Sequence, residues 1–220
     1  ELNKLMRTGI ERAVKVETAK VTLEGILAIP EDSHGVVLFA HGSGSGRFSP
    51  RNQFVARQLQ QEGLSTLLID LLEEWESEDR QKVFNIDLLA DRLIDATEWL
   101  SEYPDTESLN IGYFGASTGA AAALQAAAKL SQQIGAVVSR GGRPDLAMEY
   151  LPSVKAPTLL IVGGLDYPVI ELNQHAYDRL TSEKQLVIVP GAGHLFEEGD
   201  TLKEVARLAR EWFIKYIGQT

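Results

Sequence analysis

A few polar side chains in this 220-residue sequence have the types and order needed for covalent acyl transfer. Ser117 is the centre of Gly115-Ala-Ser-Thr-Gly119, which fits the pattern G-x-S-x-G. A serine hydroxyl is a poor nucleophile until a base takes its proton. A base that works near neutrality is most simply a histidine. The chain has His34, His41, His175 and His194. His34 falls in a turn, His175 in a helical pattern, and His41 at a strand end upstream of the serine. His194 lies in a glycine-flanked loop after the last predicted strand, at the edge where open parallel sheets gather their chemistry. Such a base needs an acid to fix its tautomer and stabilise its cation. Asp166 ends a strand between the serine and His194 and is the first choice. Asp145 is the fallback, and Asp70 precedes the serine.

The same chemistry needs donors for a developing oxyanion. One is expected to be the backbone N–H of Thr118, just after the serine. The other is expected from the glycine loop His41-Gly-Ser-Gly-Ser-Gly46, at Ser43 with Gly44 beside it. Read instead as a dinucleotide loop, this stretch supplies G-x-G but has Arg47 where a third glycine belongs. Arg140 and Arg143 flank two glycines after another strand, at the same predicted edge. A guanidinium there could grip a carboxylate or phosphate with two hydrogen bonds, which suggests a substrate with an anionic group. Pairing with Asp145 or with the acidic stretch Glu73 to Asp79 is the competing reading of these arginines.

Those residues must be positioned by a sheet. Leu109–Phe114 is a short apolar run, and the alanine-rich stretch from Ala120 to Lys129 favours a helix. Strand, tight turn and helix is the context that exposes the central serine. Residues 14–29 alternate as an antiparallel hairpin at a sheet edge. Gly35–Ala40, Ser65–Asp70, Ile134–Ser139, Thr158–Val162 and Gln185–Val189 read as further strands, mostly buried and parallel. Ser49-Pro50 predicts the start of a helix that stops near Gln61. Leu89, Leu93, Ala96 and Leu100 mark one face of a helix over 84–103. Residues 71–82 read as acidic and irregular. Helices are also expected over 169–180 and near the C-terminus. Eight strands alternating with helices predict one α/β domain over residues 1–220, its sheet covered on both faces, with no room for a large cap.

Composition bounds the rest. Hydrophobic residues are 44% and charged residues 24%, as in ordinary globular domains. With no cysteine, thiolate and disulfide chemistry are excluded. The formal net charge of −10 argues against nucleic acid and anionic membrane surfaces as partners. No apolar run reaches membrane-span length, and no secretory signal is visible, although a chain starting at Glu1 leaves an upstream segment open. The expected compartment is the cytoplasm. No metal or organic cofactor is implied, and the oligomeric state is not legible.

Taken with their order, His41-Gly-Ser43, the G-x-S-x-G elbow, Asp166 and His194 make the chain resemble the α/β-hydrolase superfamily. It is most similar to the compact, lidless dienelactone hydrolase-like proteins. The stretch Ser139-Arg-Gly-Gly-Arg-Pro-Asp-Leu-Ala147 is also similar to hydrolase domains found beside or fused to phosphoribosyltransferases. Dienelactone hydrolases proper use a cysteine nucleophile, which this chain lacks. The resemblance therefore implies a fold and a serine triad acting on a small ester, thioester or lactone, not one particular lactone. An acyltransferase on the same triad and a non-catalytic binding module on the same fold are the alternatives.

Overall fold

The continuous apolar runs form the middle of one eight-stranded sheet. The structure, a computed structural model, describes residues 9–218. Its strands are β1 (Ile10–Glu17), β2 (Thr22–Ile29), β3 (Gly35–Ala40), β4 (Leu64–Ile69), β5 (Asn110–Ala116), β6 (Ile134–Arg140), β7 (Thr158–Gly163) and β8 (Lys184–Val189). Their order across the sheet is β1-β2-β4-β3-β5-β6-β7-β8. The β1–β2 hairpin is antiparallel and joins β4 antiparallel, and the other pairings are parallel. Every residue of β3, β4 and β7 is buried, as expected for strands covered on both faces. The register pairs Ala40 with Gly115 and Ala116 with Arg140, so the carboxyl ends of β3, β5 and β6 meet at one edge.

Two cores fill the two faces. On one, Phe39, Phe114 and Val138 pack against helices α1 (Pro50–Gln61) and α7 (Thr201–Ile217) through Val55, Leu59 and Phe213. On the other, Leu38, Tyr113 and Val137 pack with Leu93 and Leu124. Four helices precede or follow on the remaining chain: α2 (Glu74–Ser77), α3 (Arg80–Val83), α4 (Ile86–Glu102) and α5 (Thr118–Leu130). Helix α6 (Tyr167–Arg179) buries Ala176 in the same core as α4 and α5. Ser49 caps α1, its Oγ accepting from Asn52 N at 3.3 Å, with Pro50 in the first turn.

The stretch 71–82 differs from its irregular sequence reading. It forms the two single turns α2 and α3, and it is anchored rather than solvated. Leu71 is fully buried and Glu76 is 2% exposed. Glu76 accepts a two-pronged hydrogen bond from Arg92 of α4, both at 2.8 Å. Residues 144–153, after β6, coil as 3-10 turns that bury Pro144, Ala147 and Leu151.

Candidate active site

The turn between β5 and α5 is strained at its central residue. Ser117 has φ 52° and ψ −124°, a left-handed conformation that a residue with a side chain adopts only when its surroundings impose it. Its carbonyl accepts from Arg143 N at 3.0 Å and from Ala120 N at 3.1 Å. Gly119 permits the close approach behind it. A methyl group there would stand 2.2 Å from Ala40 O and 2.5 Å from His41 O, so the end of β3 packs directly on the start of α5. Thr118 opens that helix, where the first N–H groups have no carbonyl of their own turn to bond.

His194 and Asp166 come together across the ends of β7 and β8. Leu165 N donates to Ala192 O at 2.9 Å and Gly164 N to Val189 O at 2.8 Å, which stitches the two loops. Gly193 N donates to Glu198 at 3.0 Å, and Phe196, at positive φ, is buried in the core on the α1 and α7 face. The result is a 2.7 Å hydrogen bond between His194 Nδ1 and Asp166 Oδ2. A carboxylate only accepts, so this contact assigns the donor role to Nδ1, and in the neutral ring of that tautomer Nε2 is the acceptor. The Asp166 side chain is 11% exposed and that of His194 is 41% exposed. Gly141 has φ +52°, and a methyl group on it would lie 3.5 Å from the His194 ring. One loop, 141–143, thus runs past the His194 ring and holds the Ser117 carbonyl.

The glycine loop faces the serine from the other side. A methyl group at Gly42 would stand 3.0 Å from Ser117 Cβ and 3.7 Å from its Oγ. Ser43, Gly44 and Thr118 line a cavity of about 1130 Å³. Its other walls are the β1–β2 hairpin, the first turn of α1 and the anchored stretch 71–79, which supplies Glu73, Glu74 and Trp75. Phe48 and Trp75 reach into this space with 63% and 59% of their surfaces exposed. Arg47 stacks over Phe48 and pairs with Asp70. Sequence reasoning passed over Phe48, Trp75 and Arg51 of this wall. The available signal was an aromatic residue just after a glycine loop and a tryptophan inside an acidic run.

The remaining candidates separate cleanly. Asp145 is gripped by Arg143, Nε to Oδ1 and Nη2 to Oδ2, both at 2.9 Å. This local pair removes the fallback acid from the histidine. It also corrects the expectation that Arg143 is free to hold an anion, because its carboxylate partner is only two residues away. The same pair holds the Arg143 guanidinium above its usual range. Arg140 turns away from the loop and is 6% exposed, with Nη2 donating to Asn52 Oδ1 at 3.4 Å. His41 is a structural group. Its Nε2 accepts from Leu71 N at 2.9 Å and its Nδ1 donates to Gly42 O at 2.9 Å, while burial pushes its pKa below the ordinary histidine value.

Comparison with known proteins agrees with this architecture. The profile of the dienelactone hydrolase family matches residues 23–216. A Mycobacterium tuberculosis (strain H37Rv) protein named "putative phosphoribosyl transferase" is 56% identical over 207 residues, covering 94% of this chain and 47% of that protein. The chain therefore spans about half the length of this relative. The crystal structure of a dienelactone hydrolase from Anabaena variabilis superposes with a TM-score of 0.92 at 58% identity, over 95% of this chain and 99% of that one. Est1E from Butyrivibrio proteoclasticus, solved with ferulic acid bound, shares the fold at a TM-score of 0.81 and 16% identity, covering 94% of this chain and 100% of that one. With the elbow and the loop-borne histidine in place, the chain belongs to the dienelactone hydrolase family.

Proposed function

We propose that this family member is a serine hydrolase that cleaves a small ester, thioester or lactone through an acyl-enzyme. The observation that carries the reading is the 2.7 Å His194–Asp166 hydrogen bond, made in a loop cluster that also holds the strained Ser117. Ser117 Oγ attacks the acyl carbon and its proton passes to His194 Nε2. Asp166 holds Nδ1–H and stabilises the imidazolium. The Thr118 and Ser43 amides receive the oxyanion. His194 then protonates the leaving oxygen or sulfur, and the acyl-enzyme forms as that bond breaks. A water molecule, deprotonated by His194, releases the acid and restores Ser117.

An acyltransferase would differ only in the last step, where a non-water nucleophile takes the acyl group. The wide cavity above Ser43 and Thr118 accommodates acyl and leaving groups of several shapes, so its volume alone selects no substrate. Its aromatic walls, Phe48 and Trp75, offer apolar surface to the substrate body. Among the described residues no helix is long and apolar enough to cross a membrane.

The reading is tested by steady-state hydrolysis of short-chain aryl esters. Ser117→Ala and His194→Gln should each reduce kcat by about 10⁵–10⁶, and the double variant should be no slower than either, because the two groups act as a unit. Additive losses, or a Ser117→Ala variant that keeps its rate, would exclude the serine mechanism.

A further inference from the structure

Helix α6 starts at Asp166, the acid partner of His194, and about two turns later it reaches back to the loop beside the other site residues. The contact is made by Asn173, which is completely buried. Its Nδ2 donates to Gly142 O at 3.1 Å and to Val169 O, in its own helix, at 2.8 Å. Both amide hydrogens are therefore used. Its Oδ1 is buried with no hydrogen-bond partner among the described residues. A buried acceptor left unpaired costs stability. What this amide contributes lies on its donor side, at the carbonyl of Gly142.

That carbonyl is the middle of the strip joining the site. On one side of it, Gly141 N donates to Ile161 O of β7 at 2.8 Å, and Gly141 runs past the His194 ring. On the other side, Arg143 N donates to Ser117 O at 3.0 Å. Two consecutive glycines have no side chains to restrict their own dihedrals. Neighbouring groups must do so, and between the two backbone bonds the Asn173 amide holds the Gly142 peptide in one orientation. Asn173 is not among the residues that line the cavity. It reaches the reaction through the loop and not through the substrate.

We infer that Asn173 is a positioning residue for the hydrolytic reaction, its amide locking the Gly142 carbonyl and so fixing the 141–143 loop between the Ser117 backbone and the His194 ring. The inference rests on the hydrolase reading. Helix α6 then carries Asp166 at its start and steadies Ser117 and His194 through Asn173, so one helix sets the spacing of all three. A misplacement of about 1 Å in such a constellation costs about 10²-fold in rate.

The test measures hydrolysis of a short-chain aryl ester by Asn173→Leu, with prolonged fluorophosphonate exposure counting the active sites. Leucine is close to asparagine in size and donates nothing. For each titrated site kcat should fall by about 10–100-fold while KM stays within about threefold, because the loss falls on the geometry of Ser117 and His194. The rate of adduct formation should fall in parallel. Thr97→Val is the control for stability alone. It removes a buried hydroxyl that donates to Leu93 O at 2.7 Å and meets Tyr113 Oη at 2.5 Å, away from the cavity. It should lower Tm and leave kcat within about twofold of wild type. Should Asn173→Leu not fold, Asn173→Ala, which favours the helix, carries the test with the same expected direction. A folded Asn173 variant with kcat within about twofold of wild type overturns the inference, and so does an equal fall in kcat in Thr97→Val. A rise in KM at unchanged kcat also overturns it, since the residue would then serve substrate binding. A wild type that neither turns over esters nor takes up the adduct overturns the hydrolase reading and this role with it.

Discussion

Removing the Arg92 guanidinium should release one whole wall of the cavity. Arg92 is 5% exposed and donates to both oxygens of Glu76 at 2.8 Å, with a further bond to Leu71 O at 3.2 Å. Glu76 in turn accepts from Glu73 N at 3.0 Å, and Leu71 N donates to His41 at the root of the glycine loop. A single buried pair therefore ties α4 to the stretch 71–79 and, through Leu71, to the loop beside Ser117. Arg92→Met leaves the Glu76 carboxylate buried, with Lys82 Nζ at 3.8 Å as its remaining cation. Breaking a buried pair on one side costs about 3–5 kcal/mol. At this chain length each kcal/mol lowers Tm by roughly 2–4 °C, so a drop of about 6–20 °C is expected. Calorimetric or circular-dichroism melting reads it directly. Replacing both partners, Arg92→Met with Glu76→Leu, should recover most of the loss, because the apolar pair carries no stranded charge. Acid should act in the same direction. The Arg92 hydrogen bonds hold the Glu76 carboxyl below its ordinary value of 4.5. A carboxylate with a depressed folded pKa stabilises above its unfolded value and loses that contribution as pH falls through the folded one. The gap between wild type and Arg92→Met should therefore be full at neutral pH and shrink below 4.5. A single variant that melts within about 2 °C of wild type, or a double variant no more stable than the single, would refute this account of the wall.

Two further outcomes follow from the geometry of the site. Asp166→Asn should keep the fold and lower ester turnover by about 10⁴, whereas Asp145→Asn should leave the histidine's acid in place and affect turnover far less. The reverse ranking would move the acid to Asp145. Gly119→Ala should push a methyl group into Ala40 O, at 2.2 Å, and destabilise the fold by more than the usual 1–3 kcal/mol of overpacking, seen as loss of soluble protein or a lowered Tm. A Gly119→Ala variant with wild-type melting and turnover would show that the elbow tolerates a wider packing.

The parts of this molecule that were legible in the sequence are those whose signal is local. The Ser49 cap, the apolar runs of β3 and β4, and the glycines around Ser117 each report on their own few residues. The order of Ser117, Asp166 and His194 was legible because each follows the carboxyl end of a strand. Pairing across the fold was not legible. Glu76 lies in an acidic run that reads as solvated, and nothing near it announces a buried arginine sixteen residues later on α4. The polar residue Arg92 sits one position before Leu93, on the margin of the apolar face of α4, where periodicity alone assigns it to water. Arg143 and Asp145 are two residues apart, and the pairing was a local alternative visible from the start. Arg140 is the last residue of β6, and its side chain passes to the α1 face, which the alternation of the strand places opposite Ser139.

The central claim is that Ser117, His194 and the loop amides act as one covalent catalyst. A fluorophosphonate mimics the tetrahedral intermediate and reacts only with a serine that has its base and oxyanion donors in place. Intact-mass analysis of the wild type after such treatment should show a single phosphonyl adduct, peptide mapping should put it on Ser117, and Ser117→Ala should remain unmodified. A folded wild-type protein that takes up no adduct, or takes it up at another residue, would contradict the account.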